Sequence, residues 1–434
     1  MHLSALLGRP VTDRGGQTLG RLVDVIARLR GVDYPLVTGL VAKVGRREVF
    51  VPIEQVTSFG GPGVTLASAR VDLRPFERRD GEVLIRTDVL GHRLIDVTEA
   101  HLVRASDVEL ARLDEQWLVS CVDTHRPRRL LGLFGDRFSG HACRDWKAFE
   151  ALIGHTPSAS LRGPVARIRG LKPAQIADLI EEASREEETE ILGHVHQDPE
   201  LEADVFEELE EDRSSRLLGS RTDEQIAEVL VRMRADDAAD AIADLPQQRR
   251  QPVLDLLPAA QRTKVLTLMG FNPASAGGLM GVDFLAVPAA TTAADALAAV
   301  AASQTLQPEA LTSVYSLDEV GRLAGAVRLV SLVQADPAGL LEEITDTDPP
   351  RVGTDTDVED VAVLMTDYNL ITVPVVDADA HMIGIITVDD VLEATLPADW
   401  RRREPPPPPD HPHDDDTRRR SQTGPDRPTL PEAP

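Results

Sequence analysis

A chain of 434 residues is too long for one hydrophobic core, and three or four domains are expected. Its 72 acidic residues outnumber its 46 basic ones, for a formal charge of −26, which argues against general affinity for nucleic-acid phosphates or anionic lipid and favours cationic partners. The two cysteines, Cys121 and Cys143, lack the CxxC spacing of a zinc or redox site and read as reduced thiols of a cytosolic protein. Residues 1–10 lack a basic start followed by a long apolar core, and the most apolar later stretch, 286–303, is Ala-rich and interrupted by Pro288 and Asp295. Neither a signal peptide nor a membrane span is expected, and a cytoplasmic location follows.

Up to residue 123, short β-branched runs alternate with Gly, Pro and Asp turns, the pattern of small antiparallel β-barrels. Leu7-Gly8-Arg9-Pro10-Val11-Thr12-Asp13 recurs in type as Leu90-Gly91-His92-Arg93-Leu94-Ile95-Asp96, which marks two copies, 1–68 and a partial one at 80–123. Both resemble the PRC-barrel, the first more closely through Gly16, Gly20 and Asp24, and the resemblance implies a docking module with no chemistry in common. Residues 124–170 turn basic and form a linker, with a short amphipathic helix expected around Trp146, Phe149, Leu152 and Ile153.

Residues 171–275 carry the strongest regularity. Apolar pairs at Leu179-Ile180, Ile191-Leu192, Val205-Phe206, Leu217-Leu218, Val229-Leu230, Ala241-Ile242, Val253-Leu254 and Val265-Leu266 recur mostly every twelve residues. Most copies add an apolar residue four positions after the first of the pair, among them Val195, Leu209 and Leu245. Each copy is a helix of about two turns with one buried stripe, too short to stand alone, so the copies must stack into an all-α superhelix. Between Asp178 and Asp212 sixteen acids face one base, Arg185.

At Gly277-Gly278 the pattern changes to strand, helix, strand, strand, helix, twice over, as units 276–345 and 346–398, before a Pro/Asp/Arg-rich tail at 399–434 that cannot bury a core. The stretch from Ala276 to Pro288, the helix start Ala235-Asp236-Asp237-Ala238-Ala239-Asp240 and the run from Met365 to Asp377 resemble MgtE-type magnesium transporters, in which an acidic helical domain meets a pair of CBS modules. The fold class is thus multidomain α+β: small antiparallel barrels, an all-α superhelical repeat and an α/β CBS pair. The resemblance ends where a transporter's membrane helices would begin.

No nucleophile with its base, transition-metal set or phosphate cradle is visible, so no enzyme activity is expected. Two binding chemistries remain. Magnesium takes hard oxygen ligands and keeps several waters, so it suits carboxylates offered by two facing surfaces. The candidates are Asp236, Asp237 and Asp240 on the helical domain and Asp389, Asp390 and Glu393 at the last helix, where helix capping is the competing role of Asp389 and Asp390. Gly277 and Gly278 are the expected hinge. The second chemistry is ATP or AMP in a CBS cleft: nucleotide-binding CBS units resemble the run from Gly384 to Asp390, which implies roles for Thr387 and Asp390, whereas Arg328 stands where the first unit should offer a hydroxyl. The resemblance implies a magnesium-responsive regulatory protein, homodimeric through its CBS pair, signalling to a protein partner such as a separately made membrane transporter. It would not transport by itself, would not bind nucleic acid, and would reach the membrane only through that partner. An interaction scaffold and an adenine-nucleotide sensor are the alternatives.

Overall fold

The computed structural model describes residues 1–30, 33–60, 63–68, 78, 82–124, 143–151, 167–304 and 306–396. The expectations for Leu152, Ile153 and the tail lie outside them. The chain divides into one compact unit, Met1–Ala394, which holds the architecture that follows, and a second, Thr395–Pro434.

The N-terminal strands are β1 (Pro10–Thr12), β2 (Thr18–Arg30), β3 (Asp33–Val44), β4 (Arg47–Pro52), β5 (Val56–Gly60), β6 (Gly63–Leu66), β7 (Glu82–Leu84), β8 (Arg93–Asp96), β9 (His101–Arg104), β10 (Asp107–Leu113), β11 (Gln116–Asp123), β12 (Arg144–Asp145) and β13 (Phe149–Ala151). The sequence repeat has one geometry in both places. Gly8 and Gly91 take φ of 76° and 79°, which only glycine adopts without strain. Their N–H groups donate to the carbonyls of Leu22 and Ala105, and the guanidinium groups of Arg21 and Arg104 donate to the carbonyls of the two glycines.

The two copies do not form separate barrels, contrary to expectation. Strands β10-β11-β3-β2-β1-β6-β5 form one curled sheet, with β4, β7 and β12 attached to β3, β2 and β11, while β13-β8-β9 form a second sheet. The halves join where Leu118 of β11 meets Leu36 of β3 and where β7 pairs with β2, and one core holds Leu22, Val25 and Val51 with Val83, Val108 and Val119. Each half is too small to bury its own apolar face, so merging removes more surface from water. Buried Asp24 locks the seam, accepting from the N–H groups of Val25, Arg86 and Thr87 and from the Thr87 hydroxyl.

The expected linker helix is also corrected. Residues 144–151 run as β12, one 3-10 turn (Trp146–Ala148) and β13. Trp146 and Phe149 are 3% and 2% exposed in the sheet core, so burial against strands outweighs their helical spacing. Pairing of β12 with β11 brings Cys143 to Cys121, and the two form a disulfide with Cα atoms 5.7 Å apart instead of the expected free thiols.

The eight apolar pairs all fall on helices: α1 (Pro173–Glu182), α2 (Arg185–Val195), α3 (Pro199–Glu207), α4 (Glu211–Gly219), α5 (Asp223–Leu230), α6 (Ala235–Asp244), α7 (Gln247–Leu256) and α8 (Ala259–Leu268). Their starts are written in the sequence. Ser184 and Thr222 are N-caps answered by Glu187 and Gln225 in capping boxes, and the Asp198 carboxylate accepts the Leu201 N–H ahead of Pro199. Alternate helices pack on one another, α1 on α3, α5 on α7 and α6 on α8, which gives the stacked two-layer superhelix. Most paired residues are buried, but Leu266 is 51% exposed.

A short helix, α9 (Ala276–Leu279), leads into the two α/β units. The first has β14 (Ala286–Pro288), α10 (Ala293–Ala302), β15 (Ser313–Leu317), β16 (Leu323–Arg328) and α11 (Leu329–Gln334). The second repeats it with β17 (Val352–Gly353), α12 (Val358–Tyr368), β18 (Thr372–Val376), β19 (Met382–Thr387) and α13 (Val388–Thr395). In both, a parallel pair is followed by an antiparallel one. The Tyr315 hydroxyl, hydrogen-bonded to the Thr372 hydroxyl at 3.1 Å, ties the units together.

Candidate functional site

A cavity of about 320 Å³ opens where the helical domain meets both α/β units. Its walls are Asp204 and Glu207 at the end of α3, the α5–α6 turn from Arg232 to Asp236, Gly281 to Asp283 after the joint, Leu306, Gln307 and Ala310 from the first unit, and Ile385, Thr387 and Asp390 from the second.

Arg234 is the centre of this wall. Its Nε lies 2.6 Å from Asp237 Oδ2 and 3.7 Å from Glu207 Oε2, its Nη1 lies 3.2 Å from Asp390 Oδ1, and its backbone N–H donates to Glu207 Oε1 at 2.6 Å. Asp390 faces two ways. Its Oδ2 accepts from the Thr387 N–H at 3.0 Å and the Thr387 hydroxyl at 2.8 Å, and its own N–H donates to that hydroxyl, so it closes the first turn of α13 as well.

The carboxylates outnumber the bases of the wall, Arg234 and Arg232, and Arg232 is paired with Glu200 at 3.2 Å. Burial pushes the Asp236 and Asp237 carboxyls above the usual range, Asp237 well above, against the pull of Arg234. The Asp390 charge raises Asp236 further, and the Asp236 and Glu207 charges raise Asp237. Glu207 is pushed up to about 6, again chiefly by burial. Burial is the main cause in each case, so a cation shared in the cleft would favour the ionised forms. Four carboxylates supply only hard oxygen donors, and the cavity has room for an ion that keeps part of its water shell, so the donor set fits magnesium. Among the described residues no three of the predicted acids bring oxygens within 4.8 Å of one another; sets that close are Asp96, Glu99 and His101, and Glu109, Cys121 and Cys143. A hydrated cation bridging the walls therefore fits better than a tight cage.

Of the six predicted acids, Asp236 and Asp390 line the cavity, and Asp237 joins them through its ion pair with Arg234 without lining it. Asp240 does not line the cavity; burial and repulsion from Asp236, Asp244 and Glu211 raise it to about 6. Asp389 and Glu393 are exposed on α13 and do not line the cavity. Thr387 lines it, but Arg328 is exposed outside it, so the three nucleotide candidates do not form one site. Gly277 and Gly278 are buried and packed. Their N–H groups donate to Thr354 and Ser275, and a Cβ on Gly278 would meet the Asn272 carbonyl oxygen at 2.3 Å, so in this state the pair permits close approach and is not a free swivel. Arg234 and Glu207 escape the reading of acid clusters because their places depend on the α3–α6 packing.

An acidic superhelix packed on paired α/β units across a charged cleft defines a multidomain α+β protein. Family models match residues 171–274 as the MgtE intracellular N domain and 341–396 as a CBS domain. The chain therefore carries an MgtE N domain and a CBS domain, the latter falling on the second α/β unit. The magnesium transporter MgtE of Thermus thermophilus is 37% identical over 161 residues, 36% of this chain and 36% of that protein. The magnesium transporter MgtE of Enterococcus faecalis is 32% identical over 130 residues, 30% and 28% of the two chains. The chain thus spans about a third of these relatives. The solved cytosolic domain of the Mg2+ channel MgtE in complex with ATP is similar to 55% of this chain and 93% of its own, with 29% identity and a TM-score of 0.49. No helix among the described residues is long and apolar enough to cross a membrane.

Proposed function

We propose that this protein is a magnesium-responsive regulatory module that senses divalent cation between its acidic helical domain and its CBS pair, and signals to a partner without transporting ions itself. The observation that carries the reading is the surplus of shielded carboxylate around Arg234 at the cleft: Glu207, Asp236 and Asp390 line it and Asp237 pairs with the same guanidinium, while Arg232, the other base of the wall, is paired with Glu200. At low magnesium these carboxylates repel and the two faces loosen; at high magnesium a shared hydrated ion draws them together. The packed glycines make this a loosening of the Arg234–Asp390 face about the joint, not a free swing. Exposed Val330 and Val333 on α11 support homodimerisation through the CBS pair. The partner, a membrane transporter or another protein, would read the closed or loosened state from the cytoplasm, and the sheet domain would serve as the docking surface. Thr387 and Asp390 in the cavity leave room for an adenine nucleotide as a second ligand, without Arg328. Isothermal titration calorimetry with magnesium, calcium and sodium tests the reading. Saturable magnesium binding that weakens at least tenfold in Asp236→Asn with Asp237→Asn supports it, and equal heats in both proteins refute it.

A further inference from the structure

We propose that Arg234 is a built-in counter-cation that bridges the helical domain to the second α/β unit and keeps part of the population closed when no metal is bound. The inference rests on the magnesium reading of the cleft and adds a regulator to it. One guanidinium spans three carboxylates: Asp237 on its own domain at 2.6 Å, Glu207 on the preceding helix pair at 3.7 Å, and Asp390 across the cleft at 3.2 Å. The Glu207 carboxylate also accepts the Arg234 backbone N–H at 2.6 Å, which fixes the root of the side chain. Arg234 is 26% and Asp390 9% exposed at the side chain, so salt screens their attraction less than it would a surface pair.

A shared divalent ion would do the same job at the same place, neutralising carboxylates of both faces. Guanidinium does it without leaving, since it remains charged at any physiological pH and its forked donors can serve acceptors on several sides. Two cations thus act on one set of oxygens, one tethered and one free. The tether sets how closed the cleft is before magnesium arrives, and magnesium completes the closure. Separation of the faces then requires Arg234 to leave Asp390 as well as the ion to depart.

The test uses the full chain with spin labels on cysteines placed at exposed Glu224 and Glu359, read by pulsed electron paramagnetic resonance with EDTA and with saturating magnesium chloride. Circular dichroism checks the fold of each variant. In EDTA the wild type is expected to show a measurable closed fraction, and Arg234→Gln at least a fivefold smaller one. Magnesium brings both to one closed distance. Arg234→Lys, which keeps the charge, should retain the closed fraction within twofold. Arg234→Gln with Asp390→Asn should be no more open than Arg234→Gln alone, because both changes remove the same bond. An Arg234→Gln variant as closed in EDTA as the wild type overturns the tether while leaving the magnesium reading intact. If Arg234→Gln opens but magnesium closes neither protein further, the tether stands and the magnesium reading fails.

Discussion

Glu207→Gln should stabilise this protein at pH 8 in the absence of metal. Burial raises the Glu207 carboxyl from 4.5 to about 6, and its side chain is 14% exposed, so solvent screening discounts little. A shift of about 1.5 units corresponds to roughly 2 kcal/mol of penalty for the ionised form. For a carboxyl whose folded value lies above its unfolded one, the favourable contribution is complete below about 4.5 and lost as pH rises through about 6. Gln keeps an oxygen to accept the Arg234 N–H and removes the charge. Thermal melts followed by circular dichroism in EDTA should therefore show the helical domain, residues 171–274, of Glu207→Gln melting above wild type at pH 8 and level with it at pH 4.5, since about 2 kcal/mol moves a domain of about 100 residues by roughly 8–16 °C. Magnesium should narrow the gap at pH 8, because the cation supplies the counter-charge that ionised Glu207 lacks. A variant less stable than wild type at pH 8 in EDTA, or a difference that ignores pH, would refute the reasoning.

Three further outcomes are expected. Phe206→Ala removes a ring 2% exposed in the superhelix core beneath the Arg221 guanidinium, and urea titration should show a loss of about 3–5 kcal/mol. Gly278→Ala forces a Cβ against the backbone of Asn272 and Pro273, which cannot yield as a flexible side chain would; a cost of about 1–3 kcal/mol should appear as faster proteolysis near the joint. Reducing the Cys121–Cys143 bond, which closes a loop across a separation of 22 residues, should lower the sheet domain's stability by about 3 kcal/mol, read as a melting shift with and without dithiothreitol.

Much of the fold is legible in the sequence where the determinant is local. The twelve-residue step places all eight helices because each apolar pair, with its partner one turn on, makes a stripe that only a neighbouring copy can cover. The apolar runs 372–376 and 382–387 give β18 and β19 their limits, since an Asp-rich turn separates them. Gly8 and Gly91 mark a repeat whose turn geometry needs glycine. What depends on distant partners is not legible. The register of Leu36 on Leu118 fuses two expected barrels, and Trp146 and Phe149 take strand-side burial although their spacing suits a helix. The site divides the same way: Asp236, Asp237 and Asp390 stand out as acids in a known pattern, but Arg234 acquires its place only when α3, α6 and α13 meet. Asp240, one turn on from Asp236, shares the charge but does not line the cavity.

Small-angle X-ray scattering across a magnesium titration at fixed ionic strength tests the central claim most directly. The account predicts a saturable fall in the radius of gyration that a monovalent salt does not reproduce and that Asp236→Asn, Asp237→Asn and Asp390→Asn together abolish. A radius that stays constant at every magnesium concentration would contradict it.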